Sequence, residues 1–210
     1  MLLFHGEALR EVRFMLGDII VLVAMVILLL ALVVLLTRLV SAVRLQRAWM
    51  KGWGGLAEQY GMTFNSGSTR CSLTGMYRGR IIYMMGTFRT GLVIQMATNN
   101  YTSNTLVMKA RGLSPAPRNP DEATLFAQSF MLESGSPEFL ERVFLSHDLH
   151  KCMAPLARIP GLVIDLNGEE LSLSTPRLYT RSDELLRLMD ALSDLAGSIE
   201  DVGLTNGALK

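Results

Sequence analysis

The sequence predicts an α+β fold: one N-terminal transmembrane helix followed by a single domain with a mainly antiparallel sheet packed by helices. Three observations lead there. Residues 19–36 spell IIVLVAMVILLLALVVLL, with no charge or polar side chain. Short apolar runs separated by glycine turns follow at 71–111 and 161–174, the signature of hairpins. Leucine- and phenylalanine-bearing stretches with helix-start signals at Ser136 and Ser182 supply the packing helices.

A helix rises about 1.5 Å per residue, so crossing a hydrocarbon core of about 30 Å takes roughly 20 apolar residues. Residues 17–40 meet that length and are expected to contact the lipid bilayer as a retained anchor. A buried core helix would show a polar stripe, and a cleaved signal has a shorter apolar region. Residues 1–16 form a leader before it. Arg10 and Arg13 precede the span, whereas Arg38, Arg44, Arg47 and Lys51 follow it. Basic flanks resist translocation, so the N-terminus is expected outside a cell membrane crossed once, with the large domain in the cytoplasm.

Residues 41–55 continue as a basic juxtamembrane helix or linker, loosened by Gly52, Gly54 and Gly55, with Trp49 or Trp53 at the membrane interface. Arg38, Arg44, Arg47 and Lys51 are the lipid-facing candidates. An ordinary topology flank needs the same charges.

The domain is expected over 56–197. A short helix ends at Gly61, and strands at 71–77 and 80–88 are joined by Arg78-Gly79, a two-residue turn. Strands at 92–98 and 105–111 follow, before a proline-rich loop at 112–120. Residues 123–132 alternate as a returning strand. Ser136-Pro137-Glu138 then opens a helix burying Phe139, Leu140, Val143 and Phe144. Asn167-Gly168 is the favoured pair for a hairpin turn, which would place Ile164 opposite Leu171 and Leu162 opposite Leu173. A helix from Ser182 ends at Gly197, and 198–210 form a flexible tail.

Charge is divided unevenly. No acid lies between Glu58 and Asp121, and seven basic residues give that stretch +7, while 119–210 carry seven basic against fifteen acidic residues. Either the basic half of the sheet meets an anionic surface, and beside a bilayer that is phospholipid, or the two blocks pair internally. No nucleic-acid-binding signature is present, and Tyr77, Tyr83 and Phe88 read as core aromatics. Cys71 and Cys152 are too few and too far apart for a disulfide framework.

Residues with catalytic chemistry cluster at His147, Asp148 and His150 near Cys152. Histidines three apart on a helix share a face and are weak metal candidates, but a zinc site needs three or four ligands. The competing reading is structural: Ser146 caps a short helix whose Leu149, Met153, Leu156 and Ile159 pack inward. Asp165 and Glu170 would sit opposite each other on the hairpin, as a carboxylate pair or as its solvated face. No cofactor is implied.

The order GLAEQYGM, LTGMYRGRIIYM, GSPEFLERVFLSHD, NGEELSLS and a terminal leucine-rich helix resembles an uncharacterised family of bacterial single-pass membrane-anchored proteins with a domain of unknown function. Gly75 to Arg80 matches its Gly-x-x-x-Gly-Arg strand turn. Gly135-Ser136-Pro137-Glu138-Phe139-Leu140 departs from its Gly-Asp-x-x-Phe-Asp segment by lacking both aspartates. The resemblance implies a membrane-tethered α+β domain and no known activity. The sequence thus points to a noncatalytic binding or scaffold module of unknown protein partner. The alternative is a membrane-bound hydrolase, possibly metal-dependent, using His147/Asp148/His150 or Asp165/Glu170.

Overall fold

The computed structural model describes residues 4–99, 104–111 and 122–204. The proline-rich loop, Arg118 and the last six residues lie outside them. The fold is α+β: a long apolar helix followed by an eight-stranded antiparallel sheet packed with helices. The chain divides into two compact units, Met1–Leu45 and Gln46–Lys210.

Helix α1 runs Phe4–Tyr60. The side chains of residues 21–36 are exposed all round, as a segment solvated by lipid requires. Among the described residues it is the one helix long and apolar enough to cross a membrane.

From Gln46 onward α1 belongs to the second unit, ten residues before the domain start expected at 56. Trp49, Trp53, Leu56 and Ala57 recur at helical spacing and are buried. The two tryptophans are therefore core residues of this unit rather than interfacial ones. The glycines do not break the helix because packing overrides propensity. A Cβ on Gly52 would overlap the Thr180 carbonyl, so this glycine lets two backbones approach.

Strands β1 (Thr63–Ser66), β2 (Arg70–Tyr77), β3 (Arg80–Thr87) and β4 (Gly91–Ala97) form a meander. Arg78 at φ 47° and Gly79 at φ 79° turn β2 into β3, the positive pair a type I′ hairpin demands. Strands β5 (Leu106–Ala110), β6 (Phe130–Ser134), β7 (Val163–Asn167) and β8 (Glu170–Thr175) complete the order β1-β2-β3-β4-β8-β7-β5-β6.

Alternation puts Leu73, Ile82, Met84, Leu92, Ile94, Met108, Ile164 and Leu173 on one buried face. Helices α2 (Glu122–Ser129) and α3 (Pro137–Leu145) contact β6, and α5 (Ser182–Leu204) contacts β4 and β8. Helix α4 (His147–Met153) packs on α2 and α5. On the opposite face the described side chains are exposed or half-buried, and Gly91 at the start of β4 is the buried exception.

Four expectations change. Residues 122–129 form a helix, with the strand confined to 130–134; Phe126 and Phe130, four apart with centroids 5.5 Å, satisfy either period in so short a run. The turn after β7 uses Gly168 and Glu169, with Gly168 at φ 61° in the first loop position. Ile164 therefore faces Leu173, and Leu166 faces Leu171. Helix α5 passes Gly197, burying Ile199, and Arg142 Nη1 donates to the Val202 carbonyl at 3.1 Å. Phe144 is 41% exposed and Phe88 52%.

Replacing Gly52 and Gly55 in turn separates packing from propensity. Gly55 has open space, so Gly55→Ala should stabilise the second unit by roughly 0.5–1 kcal/mol. Gly52→Ala should lower stability by about 1–3 kcal/mol despite the same gain in propensity. Urea unfolding of the full chain in detergent reads both; equal effects would dismiss the close approach.

Candidate functional site

The hairpin Arg78-Gly79 brings the basic half of the chain onto the acidic half. Tyr77 and Arg80 end strands whose partners are set by the β2–β3 register, so all three polar groups emerge together beneath α5. The Tyr77 hydroxyl donates to Asp190 Oδ1 at 2.6 Å, and Arg78 spans Asp190 at 2.7 Å and Asp194 at 2.9 Å. Arg80 forks onto Glu200 at 2.5 and 2.8 Å, and the Asn99 amide donates to the same carboxylate at 2.7 Å. Burial, then the bond to Asp190, raises the Tyr77 phenol above its usual range. The Arg80 hydrogen bonds hold Glu200 below the usual carboxylate range. Arg78 and Arg80, two of the seven cations between Glu58 and Asp121, are thus neutralised inside the fold.

Beside these pairs a groove of about 740 Å³ opens between α4, the 3₁₀ turn Leu156–Arg158 and α5. Its floor includes Leu156, Leu188 and Ala191, and its rim carries Asp148, Lys151, Arg187 and the paired Asp190 and Asp194. That volume suits a small ligand or a few apolar side chains of a partner. Cys152 borders the groove with its sulfur 3.8 Å from Ser198 Oγ, and burial raises its thiol pKa. A protonated thiol is a poor nucleophile. Cys71 is buried under the sheet and pushed up to about 12 by desolvation.

The opposite, open sheet face carries Met76, Ile81, Tyr83, Met85 and Val93 among polar residues. Its charges are mixed: Lys109 pairs with Glu133 at 3.3 Å, and Asp165 lies on the same face. A polar recess of about 460 Å³, lined by Asn65, Ser66, Arg70 and Ser72, occupies its β1–β2 edge.

The residue types that suggested catalysis do not converge. His147 and Asp148 are exposed on α4, whereas His150 is buried with its ring stacked on Phe126 at 4.4 Å. Ser146 accepts from the Leu149 amide, the cap expected of a structural helix. Asp165 faces Ser172 rather than Glu170, because the turn sits one residue later than Asn167-Gly168 suggests. Glu170 instead accepts from Gln95 Nε2 at 2.7 Å. Among the described residues no three His, Cys, Asp or Glu side chains cluster closely enough to hold a metal ion. Of the basic candidates, Arg38 and Arg44 belong to the first unit and Arg47 and Lys51 to the second; all four are exposed. The groove escaped sequence reasoning because its walls are far apart in the chain; the proline after α4 was its one local signal.

Two measurements follow. Glu200→Gln should cost about 1–3 kcal/mol at neutral pH by leaving the half-buried Arg80 without its counter-ion. Because the folded-state pKa of Glu200 is lowered, the native chain keeps this contribution above the ordinary glutamate range and loses it as pH falls through the lower folded value. The variant should lack that portion of acid sensitivity in a pH series of denaturant midpoints. Separately, His150→Ala should destabilise by about 1–3 kcal/mol while His147→Ala stays within about 0.5 kcal/mol, as thermal melts will read.

No protein-family model matches the chain, and no curated protein matches it. Among solved structures it is similar to the crystal structure of the mycobacterial trehalose monomycolate transport factor A, TtfA. The TM-score is 0.55 at 11% identity, covering 74% of this chain and 94% of that one, a likeness of fold.

Proposed function

We propose that this chain is a membrane-tethered, noncatalytic binding module that holds a protein partner at the bilayer through the α4–α5 groove. The carrying observation is the groove itself: an apolar floor flanked by Asp190 and Asp194, both committed to Arg78, and bordered by Cys152, whose thiol pKa burial raises. An interface of this kind uses an apolar centre for affinity and a polar rim for register. Lys151 and Arg187, which have no carboxylate partner among the described residues, would favour an acidic rim on the partner.

The apolar helix supports the tether, and the basic flank after it supports an external N-terminus with the domain in the cytoplasm. The similar solved structure is described as a transport factor. That description makes an accessory role beside a membrane transport system the natural extension of the reading. The reading extends to membership of the family of membrane-anchored domains of unknown function, on the motif order that carries the resemblance.

A photo-crosslinking residue at Ala191, on the groove floor, should capture one discrete partner from native membranes. Capture should disappear on adding Ile159→Glu while the melting temperature stays put. Capture unaffected by that charge, or equal capture from Ile81 on the open sheet face, would remove the groove from the reading.

A further inference from the structure

The cations of β2, β3 and the turns beside them are sorted by position. At the far end of β2 and β3, Arg78 and Arg80 are neutralised by α5. At the other end, Arg70 opens β2 and Arg89 lies in the β3–β4 turn beside it, where the Phe88 amide meets the Thr69 carbonyl. Neither has a carboxylate within ion-pair distance among the described residues, and the same holds for Arg47 and Lys51 on α1. The acids that follow Thr180 are already engaged: Asp183 with Arg181 and Glu184 with Arg177.

These cations share the end where the chain enters the unit. Trp49 lies 5.7 Å from the Phe88 ring, Trp53 reaches Gly86, and Tyr60 meets Tyr77 at 5.2 Å. Helix α1 therefore passes along the β2–β3 pair from its Phe88 end to its Tyr77 end. Phe88 and Met50 are large apolar side chains, 52% and 54% exposed, next to those charges.

Connectivity supplies the occupant. Nine residues, 37–45, separate the apolar run from Gln46. They rise about 14 Å as a helix and about 30 Å at full extension, so the entry end stays within reach of the headgroup layer. We infer that the surface formed by Arg47, Met50, Lys51, Phe88, Arg89 and Arg70 docks onto anionic phospholipid headgroups. The arginines and lysine meet phosphate, and Phe88 and Met50 enter the interfacial layer. The inference rests on the tether proposed above and narrows the lipid contact from the sheet face, whose charges are mixed, to the domain's entry end, where Arg70 closes that face.

Full-length protein in nanodiscs tests it. A spin label at Thr90→Cys, in a Cys152→Ser background with the buried Cys71 left in place, reports collision with headgroup-chelated nickel. Collision should rise when phosphatidylglycerol replaces phosphatidylcholine. It should fall by about tenfold or more in Arg70→Glu/Arg89→Glu and by less in Arg70→Gln/Arg89→Gln. A label at Glu169→Cys, about 20 Å away along β4, should show no rise. Equal collision in neutral and anionic discs, indifference to the charge reversals, or an equal rise at Glu169 would overturn the docking surface alone. Failure of the chain to insert into discs would overturn the tether as well.

Discussion

Burial of Trp49 and Trp53 beneath the sheet is the constraint from which the second unit is built. Two indole rings at i and i+4 make α1's last turns a wall of the core rather than a stalk leading to it. Trp53 Nε1 donates to the Tyr179 carbonyl at 2.9 Å, which ties the helix to the segment between β8 and α5. Gly86 is needed for the same contact: a Cβ there would press on Trp53, Cys71 and Leu178 together. Truncating a buried tryptophan typically costs about 3–5 kcal/mol, a large part of a domain's net stability. The unit therefore begins at Gln46, and a soluble fragment starting at 56 would lack one side of its core.

The second organising force is electrostatic, and it joins the two ends of the sequence. Arg80 and Glu200 are 120 residues apart, yet their side chains are only 17% and 14% exposed. A half-buried ion pair is tolerable when every oxygen is occupied, and here the guanidinium fork and the Asn99 amide do that. Arg78 adds two exposed bridges of smaller worth. Together they fix α5 over the β2–β3 hairpin, on which one wall of the groove depends.

Legibility in the sequence followed the range of the interaction. The apolar run, the Arg78-Gly79 turn, the Ser136 and Ser146 caps and the antiparallel sheet were readable because each is decided within a few residues. The boundary at Gln46 was not, since Gly52, Gly54 and Gly55 look like a linker until Thr180 is found against Gly52. The register of β7 and β8 slipped because Asn167-Gly168 and Gly168-Glu169 both offer a turn, and pairing with β4 and β5 selects between them. Residues 122–129 were ambiguous in period, and Phe126 resolved them by meeting Phe144 and His150, neither nearby in sequence. Of the groove only scattered leucines and one proline were visible.

The same distinction bears on chemistry. A catalytic site holds a group in a costly protonation state or exposes a nucleophile to substrate, and such groups are perturbed toward reactivity. Here the resolved shifts run the other way. Both thiols and the Tyr77 and Tyr179 phenols are raised, which keeps them protonated, and the lowered Glu200 is spent on Arg80. His150 is packed against an aromatic ring, and Asp165 faces a serine. Tyr77, Arg80 and Glu200 thus hold α5 on the sheet. What is left open to solvent is shape: an apolar groove on one side, a mixed sheet face on the other, and, where the chain arrives, a rim of cations with no carboxylate partner among the described residues.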